Sequence, residues 1–199
     1  ILHRNAKSMI SHLGTSLRVT IVSVILLGLI YPLVMTVLAQ VIFPRQAEGS
    51  PVTIDGRTLG SAIVGQLWRK PQYFHGRPSA AGKGYDPTAT GGTNLGPTSK
   101  KLIDSTRATI AALEKENPDA SGLPPMDLIT SSGSGIDPDI TPEAAYWQAP
   151  RVAKARQLSL AAVRALVGRH VRGRTFGFLG EPRVNVLEVN LALDGLQPQ

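Results

Sequence analysis

Hydrophobic positions are spread very unevenly along this chain. Residues 19–43 carry no Asp, Glu, Lys or Arg and consist mainly of Ile, Val and Leu. As a helix rising about 1.5 Å per residue, such a run extends roughly 37 Å, enough to cross a hydrocarbon core of about 30 Å with some tilt. A buried helix of a water-soluble domain rarely runs so long without a charge. Arg18 closes one end and Pro44-Arg45 the other. Tyr31-Pro32 lies mid-run, where the missing proline amide predicts a kink or a local opening of the helix. Lipid offers the freed carbonyl no hydrogen bond, so Pro32 is expected to face neighbouring helices, the alternative being a lone anchor with a lipid-facing proline.

Val37-Leu38-Ala39 before Gln40 has the small-residue character of a signal-peptide cleavage site. The apolar core outruns the roughly 7–15 residues of a signal peptide and continues through Val41, Ile42 and Phe43, which predicts an uncleaved anchor. Arg4, Lys7 and Arg18 precede the span, against Arg45 and Arg57 after it. That excess predicts a cytoplasmic N-terminus over residues 1–18, a single pass over 19–43, and an extracytoplasmic domain over 44–199. Ile1 to Ser8 precede Met9 without a Met of their own, which leaves open a vector-derived or mis-assigned origin for them.

Beyond the span the patterns shorten. Val52-Thr53-Ile54 and Arg57-Thr58-Leu59 flank Asp55-Gly56, a pair suited to the positive φ of a type I′ turn, and predict a hairpin; residues 61–67 are a candidate third strand. Residues 70–97 are rich in Gly, Pro, Ser, Thr and Ala and read as an unusually long loop, of the kind that is either functional or disordered, with aromatic and Arg content favouring order. A helix follows from about Ser99 to Glu116, with Leu102, Ile103, Thr106, Ile110 and Leu113 on one face and Pro118 ending it. Thr141, Pro142 and Glu143 form a helix start, and Pro150 is expected to break or restart that helix. Leu160, Val163, Leu166 and Val167 mark another helix, and residues 184–193, with an Asn185-x-x-Glu188 capping box, read as a short strand turning into a helix. The fold class is therefore α+β: one N-terminal transmembrane helix and one mixed α/β domain.

Composition narrows the chemistry. Hydrophobic residues make up 42% and charged residues 18% of 199, too apolar for a disordered chain. There is no cysteine, which removes disulfide scaffolds, thiol catalysis and Cys-based metal sites. The net charge is +7, but aromatics are only 5%, so a base-stacking platform is not supplied and nucleic acid is not an expected partner. A P-loop is missing: five residues separate Gly76 from Gly82, and Gly84 stands where Ser or Thr is required. The Asp-Lys-Thr-Gly phosphorylation signature of ion-pumping ATPases is also missing from the sequence. Ser131 to Ser134 do not match G-x-S-x-G and read as a Gly/Ser hinge, with a hydrolase nucleophile as the alternative. Asp137 and Asp139 flank Pro138 and read as turn and cap residues, with a carboxylate pair for acid/base work or a cation site as the alternative. The four histidines show no ligand spacing, so no metal is expected. Arg151, Lys154, Arg156, Arg164, Arg169, Arg172 and Arg174 form either a solvated helical face or a surface for anionic lipid or an acidic partner. Gly91-Gly92-Thr93-Asn94 reads as a turn, with backbone anion binding as the alternative.

Taken in order, Tyr31-Pro32-Leu33, Phe74-His75-Gly76-Arg77-Pro78-Ser79, Thr93-Asn94-Leu95-Gly96-Pro97, Ser132-Gly133-Ser134-Gly135-Ile136-Asp137-Pro138, Gln148-Ala149-Pro150-Arg151 and Gly180-Glu181-Pro182-Arg183-Val184-Asn185 resemble the C subunit of the bacterial Kdp potassium-transporting ATPase. The resemblance runs from about Met9 to Asp194. It departs at Gly91-Gly92-Thr93-Asn94, where the family commonly has Ser-Gly-Ser-Asn. It implies an accessory, non-hydrolysing subunit in the bacterial inner membrane. The implied partners are a channel-like potassium-conducting subunit, a P-type ATP-hydrolysing subunit and a small accessory subunit. It also implies a catalytic chaperone role that raises ATP affinity; ATP enters by resemblance alone, and no firmly bound cofactor is expected. Tyr31, Pro32, Phe74, Arg77, Asn94, Ser134, Asp137 and Arg151 are the candidate docking and interaction residues, with the long loop and the Asp137 region shaping the outer domain near the ion entrance. The competing class is an independent membrane-anchored binding or sensor module.

Overall fold

A computed structural model describes residues 2–195, with side chains described from His12 onward. The chain divides between Gly49 and Ser50 into two compact units. The first is helical: α1 (Leu2–Ser23), a π-helical stretch (Val24–Ile30), α2 (Tyr31–Ile42) and a single turn, α3 (Pro44–Ala47). None of the described residues from Val24 to Ala47 is buried. Residues 12–42 form one helix long and apolar enough to cross a membrane. Pro32 opens the helix as its sequence predicts. It offers no amide to the carbonyl of Gly28, and the turn before it widens, so that Tyr31 N–H bonds to Leu26 O, five residues back. Downstream, the Thr36 hydroxyl donates to Pro32 O at 2.8 Å.

The second unit is a mixed α/β domain. Asp55 (φ 48°) and Gly56 (φ 73°) both take positive φ, giving the tight turn between β1 (Pro51–Ile54) and β2 (Arg57–Ser61). No third strand follows. The backbone groups past Ser61 are spent elsewhere: Ala62 O accepts from Asn185 Nδ2, Ile63 N–H donates to Ser61 Oγ, and Gly65 N–H donates to Ile136 O. A second antiparallel sheet has the order β3 (Asp139–Ile140), β5 (Arg183–Asn185), β4 (Val171–Arg172). Around it stand α4 (Lys100–Glu116), the turn α5 (Met126–Ile129), α6 (Pro142–Arg156), α7 (Leu160–His170) and α8 (Val186–Leu193).

Two caps work as their residue types predict. Thr141 Oγ1 accepts from Ala144 N–H at 3.1 Å to start α6, and Asn185 Oδ1 accepts from Glu188 N–H at 3.1 Å at the strand-to-helix junction. Pro150 does not break α6, which runs through it to Arg156. An interior proline costs about 3 kcal/mol; here Ala144, Ala145, Ala149, Val152 and Ala153 bury the same helix on both sides of the proline, and that burial outweighs the lost hydrogen bond.

The main core gathers Phe74, Leu128, Ile140, Ala144, Val152, Val163, Val167, Val184 and Val189. A smaller cluster joins Val52 and Ile54 of β1 to Leu187 and Leu191, four residues apart on α8. Helix α8 therefore faces two cores at once. By contrast, α4 buries no residue fully: its apolar stripe is only half covered, and Ile103 is exposed.

Candidate functional site

The long loop is ordered without any strand or helix of its own, and side chains from α6 and α8 supply what a neighbouring strand would have supplied. Asn190, fully buried on α8, accepts from Phe74 N–H at 2.8 Å and donates to Phe74 O at 2.9 Å. Gln148 on α6 does the same for the next residue, accepting from His75 N–H at 2.9 Å and donating to His75 O at 3.1 Å. Arg151 donates to Pro71 O at 2.6 Å, Tyr73 O at 3.0 Å, Gln148 Oε1 at 2.8 Å and Asn117 Oδ1 at 2.8 Å. Arg156 donates to Gln72 O, Leu193 O and Asp194, and lies 4.9 Å over the Tyr73 ring. Every residue from Pro71 to His75 thus has a backbone group held by a side chain from another element, and at buried Phe74 such partners are required.

Farther along, the loop closes against residues 130–137. Arg77 pairs with Asp137 at 3.2 Å and reaches the carbonyls of Thr130 and Ser131 at 3.5 Å. Asp137 Oδ1 also accepts from Asp139 N–H. Ser79 Oγ donates to Gly135 O and accepts from Tyr85 N–H, while the Tyr85 hydroxyl donates to Arg77 O at 2.6 Å. Gly135 (φ 71°) is required where the two strands of loop meet, since a Cβ there would stand 2.6 Å from Gly91 O. The hydroxyls of Ser132 and Ser134 accept from the amides of Gly135 and Ile136, which makes them turn residues.

Electrostatics follow burial. Desolvation, reinforced by the Asp137 carboxylate, pushes the Tyr85 phenol up to about 12. Burial also raises Asp139, an effect opposed by its hydrogen bond from Asn185. Burial lowers Arg151, with Glu116 working against it. His75 is lowered by burial first and by the Arg151 charge second. Its contacts with Glu116 (3.3 Å) and Lys70 O favour the protonated ring but do not outweigh burial. A histidine whose folded value lies below its unfolded one contributes stability that is present above about pH 6.5 and is lost as pH falls from there toward the folded value. Thermal melts of the full chain at pH 7.5 and 5.5 are therefore expected to show a smaller acid-induced loss for His75→Gln than for the unchanged chain; an equal loss in both would refute the assignment.

The eight candidate residues fall into four places. Tyr31 and Pro32 are exposed on the apolar helix. Phe74 and Arg151 are buried inside the domain, and their contacts are internal. Arg77, Ser134 and Asp137 are brought together at the loop closure. Asn94 is exposed, with a left-handed φ of 51°. The basic run is largely neutralised: Lys154 pairs with Asp119, Arg156 with Asp194, Arg172 with Glu188 and Arg174 with Glu181. Asn190, Gln148 and Asn117, which hold the loop, were not among the candidates. Gln148 carried a usable signal, a polar residue on the alanine-rich inner face of α6; Asn190 likewise sits in an otherwise apolar helix.

Residues 13–195 match the family model described as the K+-transporting ATPase c chain, KdpC. The chain belongs to the KdpC family. Three relatives carry the description potassium-transporting ATPase KdpC subunit. That of Koribacter versatilis is 53% identical over 94% of this chain and 96% of its own length. That of Acidobacterium capsulatum is 55% identical over 92% and 98%. That of Myxococcus xanthus is 54% identical over 94% and 89%. At that identity the KdpC match spans the apolar helix and the domain together, so both units are family features. The match begins at residue 13, which leaves Ile1 to Ser8 outside it.

Proposed function

We propose that this chain is an accessory, non-hydrolysing subunit of an ATP-driven potassium import complex. Its partners are a channel-like potassium-conducting subunit, a P-type subunit that hydrolyses ATP and a small accessory subunit. The observation that carries this reading is the family match over nearly the whole chain, in a protein that also has one exposed apolar helix of membrane-crossing length. In this reading the helix crosses the bacterial inner membrane with its N-terminus in the cytoplasm. Its Pro32 region docks on neighbouring transmembrane helices. The domain from residue 50 onward stands outside, against the channel-like subunit near the ion entrance.

The resemblance also suggests a catalytic chaperone that raises the ATP affinity of the hydrolysing subunit. The outside placement assigns that effect to contacts passed through the complex and not to ATP held by this chain, whose sequence has no P-loop. The side of the membrane is decided by one cysteine. Ser121 is exposed, whereas Ser132 is buried, and the chain has no native thiol. In intact cells, Ser121→Cys is expected to react with a membrane-impermeant maleimide; reaction only after permeabilisation would place the domain in the cytoplasm and end this reading.

A further inference from the structure

Between β4 and β5 the chain forms a narrow hairpin, and the residues at its tip are the wrong ones for water. Phe176 is 83% exposed, Phe178 70% and Leu179 49%. Nowhere else among the described residues of the domain do three large apolar side chains lie exposed within four positions. Lone exposed apolar residues need no explanation, but two aromatic rings and a leucine exposed within four positions at one hairpin tip point to an interaction site. The tip is also built to hold its shape. Thr175 and Leu179 exchange backbone hydrogen bonds, each 2.9 Å. Phe176 (φ 54°) takes a left-handed conformation that a β-carbon resists, and Gly177 (φ 82°) follows it in the turn. Arg174 and Glu181 clamp the neck at 2.6 Å.

The charges around the tip select the kind of partner. Each neck arginine already has a carboxylate: Arg172 has Glu188, Arg174 has Glu181 and Arg183 has Asp139. The neck arginines therefore carry little unpaired charge to draw the tip to anionic headgroups. Two Phe rings also lack the N–H or O–H that suits Trp and Tyr to the membrane interface. A rigid, uncharged aromatic projection fits a preformed apolar cavity in a protein, where little ordering entropy remains to be lost.

We propose that residues 174–181 are a docking peg that seats Phe176 and Phe178 in an uncharged apolar pocket on the outer face of the channel-like subunit. The proposal rests on the outside placement argued above. In the whole complex, purified from membranes, p-benzoylphenylalanine in place of Phe176 is expected to crosslink to the channel-like subunit on illumination, while the same group in place of the exposed Ser121 is not. The double variant Phe176→Ser, Phe178→Ser is expected to leave the complex roughly 10- to 100-fold faster. The melting temperature of the full chain is expected to stay unchanged, since neither ring is buried. Crosslinks only to lipid, only to a second copy of this chain, or to nothing would overturn the peg, as would a collapse of the variant's melting temperature. If Ser121→Cys still labels from outside, such a failure removes the peg alone; crosslinks to the cytoplasmic domains of the hydrolysing subunit would remove the peg and the outside placement together.

Discussion

Asn190→Ala is expected to lower the stability of the domain by about 2–5 kcal/mol, read as a drop in the melting temperature of the full chain. The side chain has no contact with solvent, and both of its bonds go to one peptide unit, the N–H and C=O of buried Phe74. Truncation leaves that donor and that acceptor desolvated without partners, at about 1–3 kcal/mol each, and opens a cavity beside Phe74. Against a total of about 5–15 kcal/mol for an ordinary domain, this is a large fraction. Proteolysis supplies a second readout: residues 70–97 should become cleavable before the helices do, because Phe74 anchors the loop in the main core. A variant that melts within about 0.5 kcal/mol of the unchanged chain would show that the loop is held by other contacts.

The second large effect concerns the apolar helix. Ile30→Arg together with Leu33→Arg places two guanidiniums near the middle of the run, each costing about 2.5–3.5 kcal/mol on insertion scales. The chain is then expected to be released from membranes by alkaline carbonate, whereas the unchanged chain stays in the pellet. Retention of the double variant, expressed without other subunits, would show that this apolar run is not what holds the chain in the membrane.

What could be read directly in the residue order was whatever depends on near neighbours. The apolar run, the Asp55-Gly56 turn and the caps at Thr141 and Asn185 are each set by groups within a few positions, and the structure shows all of them. The failures share the opposite cause. Pro150 stays helical because of packing between α6 and distant elements, and residues 61–67 are not a strand because Asn185, over a hundred positions away, takes the carbonyl of Ala62. Arg151 read as part of a basic surface, yet it is buried among carbonyls of residues 71 and 73 and the side chain of Asn117. The bonds that Gln148 and Asn190 make to the loop join residues 73 and 116 positions apart, and no local periodicity encodes such pairs. The family resemblance was legible because it rests on motif order, which is independent of whether each motif's role can be derived.

The widened turn before Pro32 has a geometric consequence for any neighbours in the bilayer. A π-helical turn accommodates an additional residue, and each residue of an α-helix advances about 100° around the axis. A seam of side chains followed down α1 therefore does not resume on the same azimuth in α2; it is rotated by roughly that angle. One straight helix can lie along the seam of α1 or along that of α2, but not along both, and the change of azimuth falls at Tyr31.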